Sequence, residues 1–149
     1  MILQIVRFLA IILTALALVP AGAHLFELPN KIGLPQEHYF IVQGIYRGWA
    51  LFGFVLIPAL VADLALAILQ RHQPAPFWLA LAAFLCMAAT LAIFFTWTYP
   101  ANVATSNWTV VPADWADLRL QWEYAHAVNA VLTFAALCFV TLSALISRD

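Results

Sequence analysis

Apolar residues run in four long blocks along the chain, at positions 3–23, 45–69, 77–98 and 125–146. Each block is close to the roughly 20 residues that an α-helix needs to cross about 30 Å of hydrocarbon. Helices are the economical choice, because lipid offers an exposed backbone amide no partner. The connections are unequal. Positions 70–76 form a short turn containing prolines, whereas 24–44 and 99–122 are long and polar. The pattern predicts an all-α protein, one domain over residues 1–149, built as a four-transmembrane-helix bundle. Its two long polar loops lie on the face opposite the termini.

Composition sharpens this picture by exclusion. The 149 residues are 66% hydrophobic and 9% charged, against roughly 45–50% and 25% for a soluble domain. A soluble globule could not cover its surface with so few polar side chains, and disorder requires the opposite balance. A formal net charge of −1 leaves no footprint for nucleic acid. The two cysteines, Cys86 and Cys138, sit inside apolar blocks and form no CxxC, so neither a disulfide framework nor a thiol enzyme is expected. The partner is the lipid bilayer.

The first block has a second reading. Arg7, the apolar stretch 8–19 and Ala21-Gly22-Ala23 fit a signal peptide with a small-residue cleavage site. The expectation favoured here is an uncleaved first helix. Four spans put both termini on one side, with Arg7, Arg71 and Arg148 there and Lys31, Arg47 and Arg119 opposite. That tie does not orient the chain. The single Arg before the first block and the short basic turn at Arg71 favour cytoplasmic termini. The expected location is thus a bacterial inner membrane, with the long-loop face in the periplasm.

That face collects the chemistry. A belt of interfacial Trp and Tyr residues accounts for many of its aromatics, but not for the helical spacing of its polar groups. At 100° per residue, Arg119, Glu123 and His126 fall within about 60° of one another, with Trp122, Asn129 and Thr133 flanking them. Arg119 and Glu123 have the i, i+4 spacing of an ion pair. Gln43, Tyr46, Arg47 and Ala50 share the spacing of one face at the start of the second helix, and His24 and Glu27 share one at the end of the first. Pro29 and Pro35 are expected to force an irregular loop after it. Bundles place ligand and metal sites between such facing polar stripes. A polar plug that merely closes the bundle mouth is the alternative.

These residues also resemble a family. Tyr99-Pro100-Ala101-Asn102, followed by Trp115-x-x-x-Arg119-x-x-Trp122-Glu123-x-x-His126-x-x-Asn129, is similar to the signature of the anthrone oxygenase-like family of small four-helix membrane proteins. The family pattern has Asn-Pro where Tyr99-Pro100 stands and Arg where Asn129 stands. The segment around His24-Leu-Phe-Glu27 and Gln43-Gly-Ile-Tyr46-Arg47-Gly-Trp49 resembles a bacterial branch of it. The resemblance implies oxygenation of a hydrophobic aromatic or quinone-like molecule without an obvious cofactor. His126 would be the base, Glu123 would orient it or pair with Arg119, and Arg119 or Arg47 would stabilise the developing anion. Trp122, Trp108 and Tyr46 would stack on the flat substrate, with Asn102 and Asn129 beside it.

Two further readings use the same end of the chain. His24-x-x-Glu27 and Glu123-x-x-His126 are both i, i+3 pairs, so His24, Glu27, Glu123 and His126 could hold a transition metal. Di-iron bundles add carboxylates from the other two helices, and the second and third helices here offer none at this end. The non-enzymatic reading is a structural or lipid-binding subunit, alone, as a homo-oligomer or within a larger membrane complex. Elsewhere, Asp63 is expected to pair with Arg71, and Gly44, Gly48 and Gly53 to let helices approach closely.

Overall fold

A computed structural model describes residues 1–147; Arg148, counted above with the terminal face, lies outside them. Four helices are long and apolar enough to cross a membrane. They belong to α1 (Ile2–Lys31), α3 (Gly53–Leu69), α4 (Pro74–Ile93) and α6 (Trp115–Ile146), with short helices α2 (Gln36–Gln43) and α5 (Tyr99–Ala104) at the end opposite the termini. No strand occurs among the described residues. The protein is therefore an all-α, four-helix bundle of the membrane-spanning type. Each long helix packs on two others: α1 on α3 and α6, α4 on α3 and α6.

The core has two halves of different chemistry. Towards the termini it is made of small residues, Ala10, Ala17, Ala59, Ala80, Ala83 and Ala136, filled in by Leu66, Met87 and Val140. Small side chains let membrane helices approach closely, where dispersion rather than water exclusion holds them. At the other end the core is aromatic: Tyr39, Trp108 and Trp122 around Ala101. Large apolar residues such as Phe54, Leu145 and Phe26 point outward, as a lipid-facing surface requires.

Three boundaries differ from the sequence pattern. Helix α1 does not stop near Ala23; it continues through Pro20 and Pro29 to Lys31. Pro29 deletes one ladder bond only two residues before the helix ends, and His24 and Lys31 are buried by the fold, so tertiary packing outweighs that loss. The start of the second span is not a continuous helix. Gln43 ends α2, Gly44–Tyr46 and Trp49–Phe52 are separate 3₁₀ turns, and Gly48 between them has φ +90°. Only glycine adopts that conformation without strain. The third span runs on as Pro74–Ala104, through a π-turn at Phe94–Thr98. Pro100 has no N–H to continue the ladder, and Tyr99 N–H reaches back five residues to the Phe94 carbonyl.

Two expected contacts are replaced by others. Asp63 is fully buried and accepts from Thr14 Oγ1 at 3.3 Å, while exposed Arg71 donates to the Ile68 carbonyl at 3.1 Å. Asp63 faces the bundle axis and Arg71 lies beyond the helix end, so their side chains diverge. A Cβ built on Gly44, Gly48 or Gly53 would meet nothing within 4 Å. These glycines border open space rather than a close helix crossing. Cys86 and Cys138 are free thiols.

Candidate functional site

The irregular stretch 44–52, the π-turn and the upper halves of α1 and α6 enclose a cavity of about 1150 Å³. It is large enough for a three-ring aromatic molecule, since sites for drug-sized ligands occupy roughly 300–1,000 Å³. Ala17, Pro20, Leu56 and Leu91 form its deep apolar wall. Ile41, Ile57 and Phe95 also line it and are themselves exposed, so its rim is apolar and faces outward. The glycines of 44–53 explain the space: three positions without side chains stand on one wall.

His24 and His126 meet in this cavity. Their rings stack with centroids 4.0 Å apart and an interplanar angle of 30°. Trp122 stands edge-on to both, at 4.1 Å from His126 and 5.0 Å from His24. Tyr46 and Trp49 close the other side of His24 at 4.4 and 5.3 Å. His24 is 6% exposed. Its Nδ1, and Nε2 of His126, are buried without a hydrogen-bond partner. An orphaned buried nitrogen costs about 1–3 kcal/mol, so the pair is not a satisfied core arrangement. Asn129 Oδ1 and Thr98 Oγ1, on the same lining, are equally unpartnered.

Trp122 is held from behind. Its indole N–H donates to Asn102 Oδ1 at 2.9 Å, and that oxygen also accepts from Trp108 Nε1 at 3.2 Å. Trp108 arrives there through three consecutive left-handed residues, Ser106, Asn107 and Trp108, with φ of 49°, 56° and 62°. Each costs about 1–2 kcal/mol for a residue with a Cβ. The turn persists because Thr105 Oγ1 accepts from Trp108 N–H and Trp108 packs on Tyr39, Phe40 and Trp122.

Beyond Trp122 lies a buried ionic cluster. Lys31, 3% exposed, places Nζ 3.1 Å from Glu123 Oε1 and 3.7 Å from Glu27 Oε2. It donates to Tyr46 Oη at 2.6 Å, and that hydroxyl donates to Glu27. Nζ also sits over the rings of Tyr46 and Trp122, 4.3 and 4.8 Å from their centroids, a cation–π arrangement. The Tyr39 hydroxyl donates to Glu123 Oε1 at 2.8 Å. Burial first, and then the Glu123 charge, push the Tyr39 pKa well above its ordinary value, so this phenol stays protonated.

The structure thus sorts the residues that the pattern singles out. His24, His126, Trp122 and Trp108 line the cavity together with Tyr46, Arg47, Asn102 and Asn129. Glu27, Glu123 and Arg119 do not. The cation on Glu123 is Lys31, not Arg119. Arg119 donates to the Leu34 carbonyl at 2.8 Å and stacks over Trp115 and Tyr39 at 4.7 and 5.5 Å. Its guanidinium follows the aromatic surface of the cap and so turns away from the helix neighbour four residues on. Among the described residues no group of three or more His, Cys, Asp or Glu side chains is placed to hold a metal ion. His24 and His126 face each other, while Glu27 and Glu123 turn to Lys31. Lys31 and Tyr39 are the residues that pattern reasoning leaves among loop charges and interfacial aromatics, and Thr98 it leaves at the end of an apolar block. The i, i+4 spacing of Glu27 and Lys31 is the one signal that links Lys31 to the site.

Comparison with family models, with curated proteins and with solved structures finds no match to this chain.

Proposed function

We propose that this membrane protein takes a flat, lipid-soluble aromatic or quinone-like molecule into the cavity and oxidises it as an oxygenase-like enzyme. The observation that carries this reading is the His24–His126 pair. Two imidazoles line an apolar, aromatic-walled space, and each carries one buried nitrogen without a partner. The outward-facing apolar rim suits entry from the bilayer, and the resemblance around Trp122 and His126 to the anthrone oxygenase-like family supports the same substrate class. The orientation that goes with it has cytoplasmic termini in a bacterial inner membrane and a cavity towards the periplasm.

In this reading His126 Nε2 removes a proton from the activated methylene of an anthrone-like substrate. The carbanion passes electrons to dioxygen, forming a C–O bond and a hydroperoxide. Loss of water then leaves the new carbonyl, so substrate and O₂ become quinone and H₂O. Arg47, on the cavity wall, stabilises the developing oxyanion. Trp122 and Tyr46, both on the cavity wall, stack on the substrate rings. Arg119 and Glu123 hold the wall in place rather than touch the substrate.

The test is oxygen uptake and quinone absorbance on adding a ring-hydroxylated anthrone to purified protein. Turnover above a protein-free detergent blank is expected, with a loss of about 10²-fold or more in His126→Ala, the usual worth of a general base. Arg119→Ala should lose far less. Wild-type protein that consumes no oxygen while mass spectrometry finds a bound aromatic lipid would make the cavity a carrier site. Protein with neither turnover nor ligand would end the reading.

A further inference from the structure

Tyr39, Gln43 and Glu123 form a directed hydrogen-bond chain behind the cavity wall. The Tyr39 oxygen lies 2.8 Å from Glu123 Oε1 and 2.5 Å from Gln43 Nε2. A phenol has one proton to give, and a carboxylate ion-paired to Lys31 at 3.1 Å can only accept. The Tyr39 proton therefore points at Glu123. Its oxygen must then accept from Gln43, which requires the amide nitrogen to face it. The choice between amide oxygen and nitrogen, ordinarily open to a flip, is dictated here by the network. Gln43 Oε1 is left on the other side of that amide, in a residue that lines the cavity. It is buried and has no partner, in a residue only 4% exposed.

We infer that Gln43 is the specificity-determining acceptor of the cavity, and that the ligand meets it with a hydroxyl or amino hydrogen. A hydroxylated aromatic is then taken in preference to its ether or carbonyl analogue. Asn129 Oδ1 and Thr98 Oγ1 add two more unpartnered buried oxygens to the same lining. The inference rests on the reading of the cavity as an aromatic site, but it needs no turnover. A site built around a buried acceptor discriminates against an analogue lacking the donor by about tenfold or more, because the acceptor is otherwise buried unpaired.

The experiment compares 2-naphthol with 2-methoxynaphthalene by equilibrium dialysis against the detergent-solubilised protein. Methylation removes the donor and keeps the rings. Dividing the ratio of Kd values by the same ratio in Gln43→Met cancels partitioning into detergent. Wild type should favour naphthol by about tenfold or more relative to the variant, and the variant should lose naphthol affinity rather than gain affinity for the ether. Tyr39→Phe supplies a second readout that holds even where Gln43→Met does not fold. Without the phenol the Gln43 amide is free to turn its NH₂ to the cavity, so binding of the ether should rise towards that of naphthol. Equal affinities in wild type, or a preference that survives both variants, would overturn the assignment. Binding of neither probe would instead overturn the aromatic-site reading, and this inference with it.

Discussion

Lys31 on α1 reaches Glu123 on α6 at 3.1 Å, with Glu123's side chain fully buried and Lys31's at 3% exposure. The contact joins the last turn of the first membrane helix to the fourth. Removing one partner of a buried pair strands the other charge at a cost of about 3–5 kcal/mol. Lys31→Met should therefore lower the apparent melting temperature in detergent severely, because Glu123 and Glu27 are then left without their cation. The double variant Lys31→Met with Glu123→Gln should be milder than the single one. Thermal unfolding of wild type, Lys31→Met, Glu123→Gln and the double variant checks this. Additive losses would show that the contact is not a coupled pair.

Asn102 Oδ1 accepts from two indoles at once. Asn102→Leu leaves both donors unpaired, at about 1–3 kcal/mol each, whereas Asn102→Asp keeps an acceptor oxygen. The first should be clearly less stable than the second. Tryptophan emission should shift in Asn102→Leu and remain near wild type in Asn102→Asp.

The partner of Asp63 is Thr14, not Arg71. Arg71→Ala should stay within about 0.5 kcal/mol of wild type, as surface changes do. Asp63→Asn removes a buried ionisable group that has a single weak hydrogen bond, and should be neutral or stabilising by about 1 kcal/mol. A matched loss of stability in both variants would restore the Asp63–Arg71 pairing.

Two backbone positions should respond with opposite signs. Gly48 has φ +90°, so Gly48→Ala should destabilise by about 1–2 kcal/mol although no atom lies near the added methyl. Ser106 has φ 49° with a Cβ present, and Ser106→Gly should stabilise by up to about 1 kcal/mol. Gly53→Ala, at ordinary φ, is the control.

The four spans, their shared polar end and the facing of His126 were legible from apolar block length and helical spacing, because both depend on local repeats of 20 and 3.6 residues. The same counting brought Trp122, Asn129 and His24 to the site. It could not show that Glu123 belongs to Lys31, which is 92 positions away along the chain and beside it in space. Spacing along a helix names the candidates on one face; which of them pair depends on the neighbouring helix. Pro29 and Pro100 show the same division. Local rules end a helix at each, yet α1 runs on to Lys31 and the third span continues through a π-turn, since buried contacts outweigh one missing hydrogen bond. Block length and helical spacing suffice for a lipid-embedded bundle with a polar, aromatic end. Tertiary packing alone decided the stacking of His24 on His126, the burial of Lys31 and the cavity beside the 44–53 glycines, because each is a meeting of segments that no local period relates.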